Sequence, residues 1–216
     1  MPKSAPNPKA TPKAQATGEK ILDVALALFR TQGFDSTTMR DIAAKAGVAT
    51  GAAYYYYPSK DAIVMAFYQR TFDEMRTKIQ KVVDAPGSLE VRMRELIRVK
   101  LEHFGKNRGV LRAMLRNGAD PKHPVSPFSA ETKAFREMEI GWFRTLVGDE
   151  GVRLPRELEE RIPEVLWVLH IGMMFFWIAD DSPRQLHTRR LIDQGMSTVT
   201  ALLRLSSPLP AIVEAS

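Results

Sequence analysis

Residues 33–64 read GFDSTTMRDIAAKAGVATGAAYYYYPSKDAIV, and this stretch decides the fold. Met39, Ile42, Ala43 and Ala46 recur at helical spacing and form one short apolar face. Ser36, Thr37 and Thr38 supply the N-cap before it, and Gly47 ends it. A second short helix starts at Ala49 or Thr50 and runs to Tyr56, before Pro58 breaks it. Two such helices form a helix-turn-helix only if they cross closely. Ala43 is small enough for the crossing, and Gly47 tolerates the positive φ of the turn. Val48 can plug the gap after the turn. The second helix carries no charge and has small groups at its N-terminal end, where a recognition helix approaches base edges and phosphates. Tyr54, Tyr55, Tyr56 and Tyr57 cannot all face a core. One or two of these phenols must face solvent or a partner.

Outward from this stretch the pattern stays helical. Residues 1–16 (MPKSAPNPKATPKAQA) hold Pro, Ala and Lys with Met1 as the only large apolar group, and read as a disordered basic arm. Thr17 is the expected cap of a first helix, with Ile21, Ala25, Leu28 and Phe29 on one face and Gly33 at its end. Ser59 caps a fourth helix carrying Ile63, Ala66, Phe67 and Ile79, which ends near Pro86-Gly87. Further helices are expected over 89–104 (Val91, Leu96, Val99 and Leu101 among basic residues), 110–116, 130–147, 157–179 and 183–205. Residues 119–128, with three prolines, read as a loop, and 207–216 as a tail. No strand-like alternation occurs, so the expected class is all-α.

The bulk numbers agree. Of the 216 residues, 44% are hydrophobic and 26% charged, enough for a sizeable core. The net charge is +6, and residues 1–60 hold eight basic residues against four acids. A basic N-terminal part suits phosphate backbones. There is no cysteine, which excludes disulfides and thiolate chemistry. His103, His123, His170 and His187 lack metal spacing, so neither metal nor cofactor is expected. No phosphate loop, nucleophile elbow or His-x-x-x-His pair suggests an enzyme. The apolar run 165–179 is shorter than the ~20 residues of a membrane span, and no secretory signal is visible. The expected location is the cytoplasm.

The 33–64 stretch resembles the N-terminal domain of TetR-family transcriptional regulators. Gly33, Phe34, Thr37, Thr38, Met39, Ile42, Ala43, Ala46, Gly47, Val48, Gly51, Tyr54, Tyr56, Ser59, Lys60 and Ile63 match that family's spaced pattern. The resemblance implies a DNA-binding domain over 17–64, with the motif at 38–57, and a ligand-binding and dimerisation domain over 65–206. It implies DNA contacts from Thr38, Arg40, Thr50, Gly51, Ala52, Tyr54 and Tyr55, with Lys60 binding phosphate. Ala49 replaces the family's usual Ser, which shifts the expected cap to Thr50. Ala53 replaces a large aliphatic residue, leaving a small core underfilled or filled by a neighbouring tyrosine.

For the C-terminal part the resemblance implies a two-fold helical dimer and a pocket. The 157–179 helix is apolar nearly all round and must be covered on both sides. Phe175, Ile178, Leu191, Val199 and Leu202 are the expected dimer residues. Met93, Leu96, Phe104, Met114, Phe135, Met138, Trp142 and Trp167 are the expected pocket wall, since Met with aromatics suits an apolar ligand. The expected function is a ligand-responsive repressor that binds double-stranded DNA at an inverted repeat as a homodimer. The alternative is a helical protein-interaction module without sequence-specific DNA binding.

Overall fold

The structure, a computed structural model, describes residues 11–118, 120–149 and 156–205, apart from the side chains of 113–117, 157 and 204–205. Residues 1–10 of the expected arm, the Met114 side chain and the tail at 207–216 lie outside the described residues. The described residues form nine α-helices and no strand: α1 (Pro12–Thr31), α2 (Met39–Ala46), α3 (Thr50–Tyr56), α4 (Lys60–Val83), α5 (Leu89–Phe104), α6 (Arg108–Gly118), α7 (Lys133–Asp149), α8 (Arg156–Ala179) and α9 (Leu186–Leu205). Short 3-10 turns precede α6 and α9.

The first helix begins at Pro12, not at Thr17. Thr11 is its N-cap and accepts a hydrogen bond from the Ala14 amide at 3.4 Å. Proline is tolerated in the first turn, where its missing N–H costs no helical bond. Thr17 lies inside the helix, its hydroxyl donating to the Lys13 carbonyl at 2.9 Å. The helix thus takes in residues 12–16 of the expected arm.

Two compact units do not follow the chain's linear order. One holds the residues up to Arg76 together with Glu102–Phe135; the other holds Thr77–Leu101 and the residues from Arg136 onward. In the first, Ile21, Leu22, Ala25 and Phe29 of α1 are buried, as are Ile42 and Ala46 of α2 and Ile63 and Phe67 of α4. Helix α6 packs on α1, and Arg30 donates to the Asn107 side chain at 2.9 Å. The loop after α6 is knitted by hydroxyls. Ser126 donates to the Gly118 carbonyl at 2.7 Å, and Thr132 to the Ser126 carbonyl at 2.7 Å.

In the second unit Met93, Leu96 and Ile97 of α5, Phe143 and Leu146 of α7, and Trp177 and Ile178 of α8 are buried. Val91, expected on the apolar face of α5, is exposed instead. Arg92 is buried and donates to the Val83 carbonyl at 3.0 Å and to Asp149 at 2.8 Å. Helix α8 matches the expected 157–179 to within a residue, but its apolar stretch is longer than the 165–179 run. Leu158–Ala179, 22 residues with mean hydropathy 1.7, is long and apolar enough to cross a membrane by length and composition. Half of that stretch is buried inside the fold, including His170, so it is the core helix of this unit. The turn after it is set by Asp180, whose carboxylate accepts the Ser182 amide at 3.0 Å and the Thr188 hydroxyl at 2.6 Å. Hydrogen bonds from the Ser182 and Thr188 side chains, with those from their amides, hold its carboxyl below the usual carboxylate range. Arg184 and Gln185 adopt positive φ here, and the Gln185 side chain accepts Trp177 Nε1 at 3.0 Å. This fixes the start of α9, which packs on α8.

Candidate nucleic-acid interface

Helices α2 and α3 pack through alanines. Ala43, Ala46 and Ala53 are essentially inaccessible, so the two backbones approach closely. Gly47 makes the turn at φ 69°, ψ 35°. Its amide donates to the Ala44 carbonyl at 3.1 Å and the Val48 amide to the Ala43 carbonyl at 3.0 Å, satisfying the end of α2. At the start of α2, Thr38 and Asp41 form a reciprocal capping box. Thr38 donates its hydroxyl to Asp41 at 2.7 Å, which with the Thr38 amide holds the Asp41 carboxyl below its ordinary range. The cap expected at Thr50 is absent. Thr50 is the first residue of α3, Ala49 is the N-cap, and no side chain caps the helix.

The tyrosine run divides by helical position. Tyr55 is 84% exposed and Tyr54 51%, while Tyr57 is buried at 2%. Tyr57 lies just past the end of α3 and donates its hydroxyl to the Gly18 carbonyl at 3.2 Å. Burial, with the Glu19 charge second, pushes its pKa up to about 12. A side chain at Gly18 would meet the Tyr56 ring at 3.4 Å. Tyr56 and Tyr57 thus pack against α1 beside the small Ala53.

The remaining predicted DNA residues fall on one exposed segment. Thr38, Arg40, Thr50 and Gly51 are exposed with Tyr54 and Tyr55, and Ala52 is half-buried. Lys60 differs. Its ammonium donates to the Phe34 carbonyl at 2.6 Å and to the Asp35 carbonyl at 3.4 Å, and it stands 4.4 Å above the Phe34 ring. It ties the link between α1 and α2 to the start of α4, where Ser59 accepts the Ala62 amide at 3.1 Å. In this structure the Lys60 ammonium is thus engaged within the unit. Sequence reading did not single out Lys20, whose Nζ lies 3.9 Å from where a Gly47 side chain would begin. Only the fold brings α1 to that turn. A groove of about 250 Å³ elsewhere in this unit is lined by Glu19, Tyr57, Arg70, Asp73 and Glu74 among others, and its carboxylates are unsuited to phosphate.

The predicted pocket-wall residues are divided between the two units. Met93, Leu96, Trp142 and Trp167 are buried in the second unit. Phe104 and Phe135 belong to the first, where Phe104 meets Phe67 and Phe135 meets Tyr68 and Phe72. Met138 is exposed on α7. Among the expected dimer residues, Leu191 and Leu202 are exposed, Phe175 and Val199 half-buried, and Ile178 buried at 4%. Ile178 is therefore a core residue. The exposed apolar groups of α8 are instead Leu158, Val165, Val168, Leu169 and Phe176. No cluster of His, Cys, Asp or Glu among the described residues could hold a metal.

Comparison with known proteins agrees with this geometry. Residues 21–67 match the profile of bacterial regulatory proteins of the tetR family, and residues 92–216 match the tetracyclin repressor-like C-terminal domain. The chain is 26% identical over 145 residues to the transcriptional repressor KstR2 of Rhodococcus jostii, covering 65% of this chain and 70% of that one. It is 28% identical over 101 residues to the uncharacterised regulator YuxN of Bacillus subtilis, of which it spans 35%. Its fold is that of Thermus thermophilus FadR, a TetR-family repressor solved with lauroyl-CoA (TM-score 0.64, 23% identity, 92% of this chain and 98% of that one). It is also that of SmeT solved with triclosan (TM-score 0.63, 20% identity, 94% and 99%). Two family profiles in register with the two helical regions, and a helix-turn-helix built as its sequence requires, make this chain a member of the TetR family of transcriptional regulators.

Proposed function

We propose that this chain is a repressor that binds an inverted-repeat operator as a homodimer and leaves it when a small, mainly apolar effector enters the second unit. The observation that carries the DNA-binding half is the exposed surface of α3. Two tyrosines on a seven-residue helix stand in solvent beside uncharged small residues, with Arg40 on α2. Phenols there can bond phosphate and touch thymine methyls, and Thr50, Gly51 and Ala52 leave room for base edges. Few groups can read bases, so part of the selectivity rests on DNA shape and on Arg40. The dimer is supported by the exposed apolar groups of α8 and α9. The effector half draws on the relatives solved with lauroyl-CoA and with triclosan. A cytoplasmic location follows from this reading.

Selection of binding sites from random duplex, followed by footprinting at physiological salt, tests it. The expected result is a protected inverted repeat with half-sites about one helical turn apart, ~34–36 Å. Binding with no sequence preference would instead favour a helical module that docks a protein partner.

A further inference from the structure

The second unit contains a buried polar cluster that DNA binding leaves unused. Lys100 of α5 and Glu139 of α7 form an ion pair with both side chains almost inaccessible. The other Glu139 oxygen accepts Trp167 Nε1 of α8 at 2.9 Å. This group is electrically closed, with one cation matched to one anion. His170 lies one turn further along α8, is 1% exposed, and has its ring 5.7 Å from that of Phe143. Its Nδ1 and Nε2 are both buried, and neither has a hydrogen-bond partner. Burial, and secondarily the Lys100 charge, holds its pKa well below 6.5, so the ring is neutral and offers one donor and one acceptor. Buried polar atoms are nearly always paired, and leaving two unmatched on one ring disfavours the packed state.

We propose that His170 is the polar recognition group of the effector site, and that the effector is an uncharged, largely apolar molecule bearing a hydroxyl or carbonyl group. The inference rests on the effector-binding reading above and names the ligand's chemistry. The cluster's charge balance selects that class. Lys100 is paired with Glu139, so a buried anion would compete with that carboxylate for it, and a buried cation would meet the Lys100 charge that already disfavours a charged His170. A hydroxyl can accept from the imidazole N–H or donate to the other nitrogen. A hydrocarbon can do neither.

The test titrates the full chain with 4-propylphenol, propylbenzene and 4-propylbenzoate, followed by fluorescence of Trp142, Trp167 and Trp177. Ring ¹⁵N resonances of His170 are recorded in parallel. The phenol should bind at least ~10-fold more tightly than propylbenzene, the effect of one buried hydrogen bond, and should shift the His170 nitrogens. His170→Phe should bind phenol and hydrocarbon equally, and His170→Gln should keep part of the preference. Equal affinities in the wild type, a preference that survives His170→Phe, unmoved His170 resonances, or tightest binding by the benzoate would each overturn the proposal. If phenol and hydrocarbon bind equally and both release DNA, the effector reading stands while the role of His170 falls. If none of the three binds, both fall.

Discussion

Lys60 and Arg40 are both cations of the helix-turn-helix region, yet their surroundings differ. The Lys60 ammonium is held by two carbonyls and a ring, while Arg40 is exposed on α2. Lys60→Met should therefore lower unfolding stability by about 1–2 kcal/mol, the scale of a charged hydrogen bond, without changing the salt slope of DNA binding. Arg40→Ala should do the reverse: stability stays level, and the slope of log K against log salt becomes shallower by about one. Chemical denaturation and anisotropy titrations at several salt concentrations separate the two, and a flattened slope for Lys60→Met would restore its phosphate contact. His170 offers a second residue-scale outcome. Its folded pKa lies well below 6.5, so the unfolded chain binds that proton more readily. Stability is thus level above pH ~6.5 and falls as the pH drops below it, by up to ~1.4 kcal/mol per pH unit. His170→Phe should remove that decline. Lys100, whose charge acts on the ring, and its partner Glu139 are present in both proteins, so the difference between the two unfolding curves isolates His170.

Among the elements, α2 and α3 were readable from sequence because their signals are local. Thr38 and Asp41 cap α2 within one turn, Gly47 ends it, and Pro58 stops α3. The start of α1 was not readable, because Pro12 reads as a breaker until Thr11 is seen to cap the helix it opens. The division of the pocket set between the two units was not readable either. Phe104 and Phe135 share helices with residues of the other unit, and no periodicity reports where a long helix changes its neighbours. Lys60 matched its pattern position and yet its ammonium turned inward, since motif spacing fixes a place on the chain and not the direction of a side chain. Gly47 is where local reading can be tested most sharply. Its φ of 69° is left-handed, and a side chain there would meet nothing nearer than Lys20 Nζ at 3.9 Å. The cost of substitution is therefore conformational and not steric. Gly47→Ala should destabilise by about 1 kcal/mol, Gly47→Asn by less, and Gly47→Val by more, in urea unfolding. Equal costs for all three would show that the turn does not depend on its backbone angle.

For the whole molecule, the question is what covers the outer face of α8. Val165, Val168, Leu169 and Phe176 are exposed at spacings that place them along one stripe, with Gly172 exposed among them. A side chain added at Gly172 would meet nothing within 4 Å, so the stripe has a flat centre that a partner helix can approach closely. Leu191 and Leu202 expose further apolar surface on α9. A two-fold interface presents the same patch twice, so one substitution near the axis places two like groups together. Leu169→Glu should therefore yield monomers by sedimentation while leaving helical circular dichroism intact, because the side chain makes no core. Operator affinity should fall at least ~100-fold, since two linked half-sites become two separate encounters. Ile178→Glu, on the buried side of the same helix, should instead unfold the second unit, because it buries an unpaired charge. Val91→Glu, at an exposed apolar position on α5, should change neither oligomeric state nor operator binding. The contrast between the two faces of α8 makes the prediction decisive. A Leu169→Glu protein that stays dimeric would move the interface off this stripe, and a monomeric protein with full operator affinity would remove the need for a dimer.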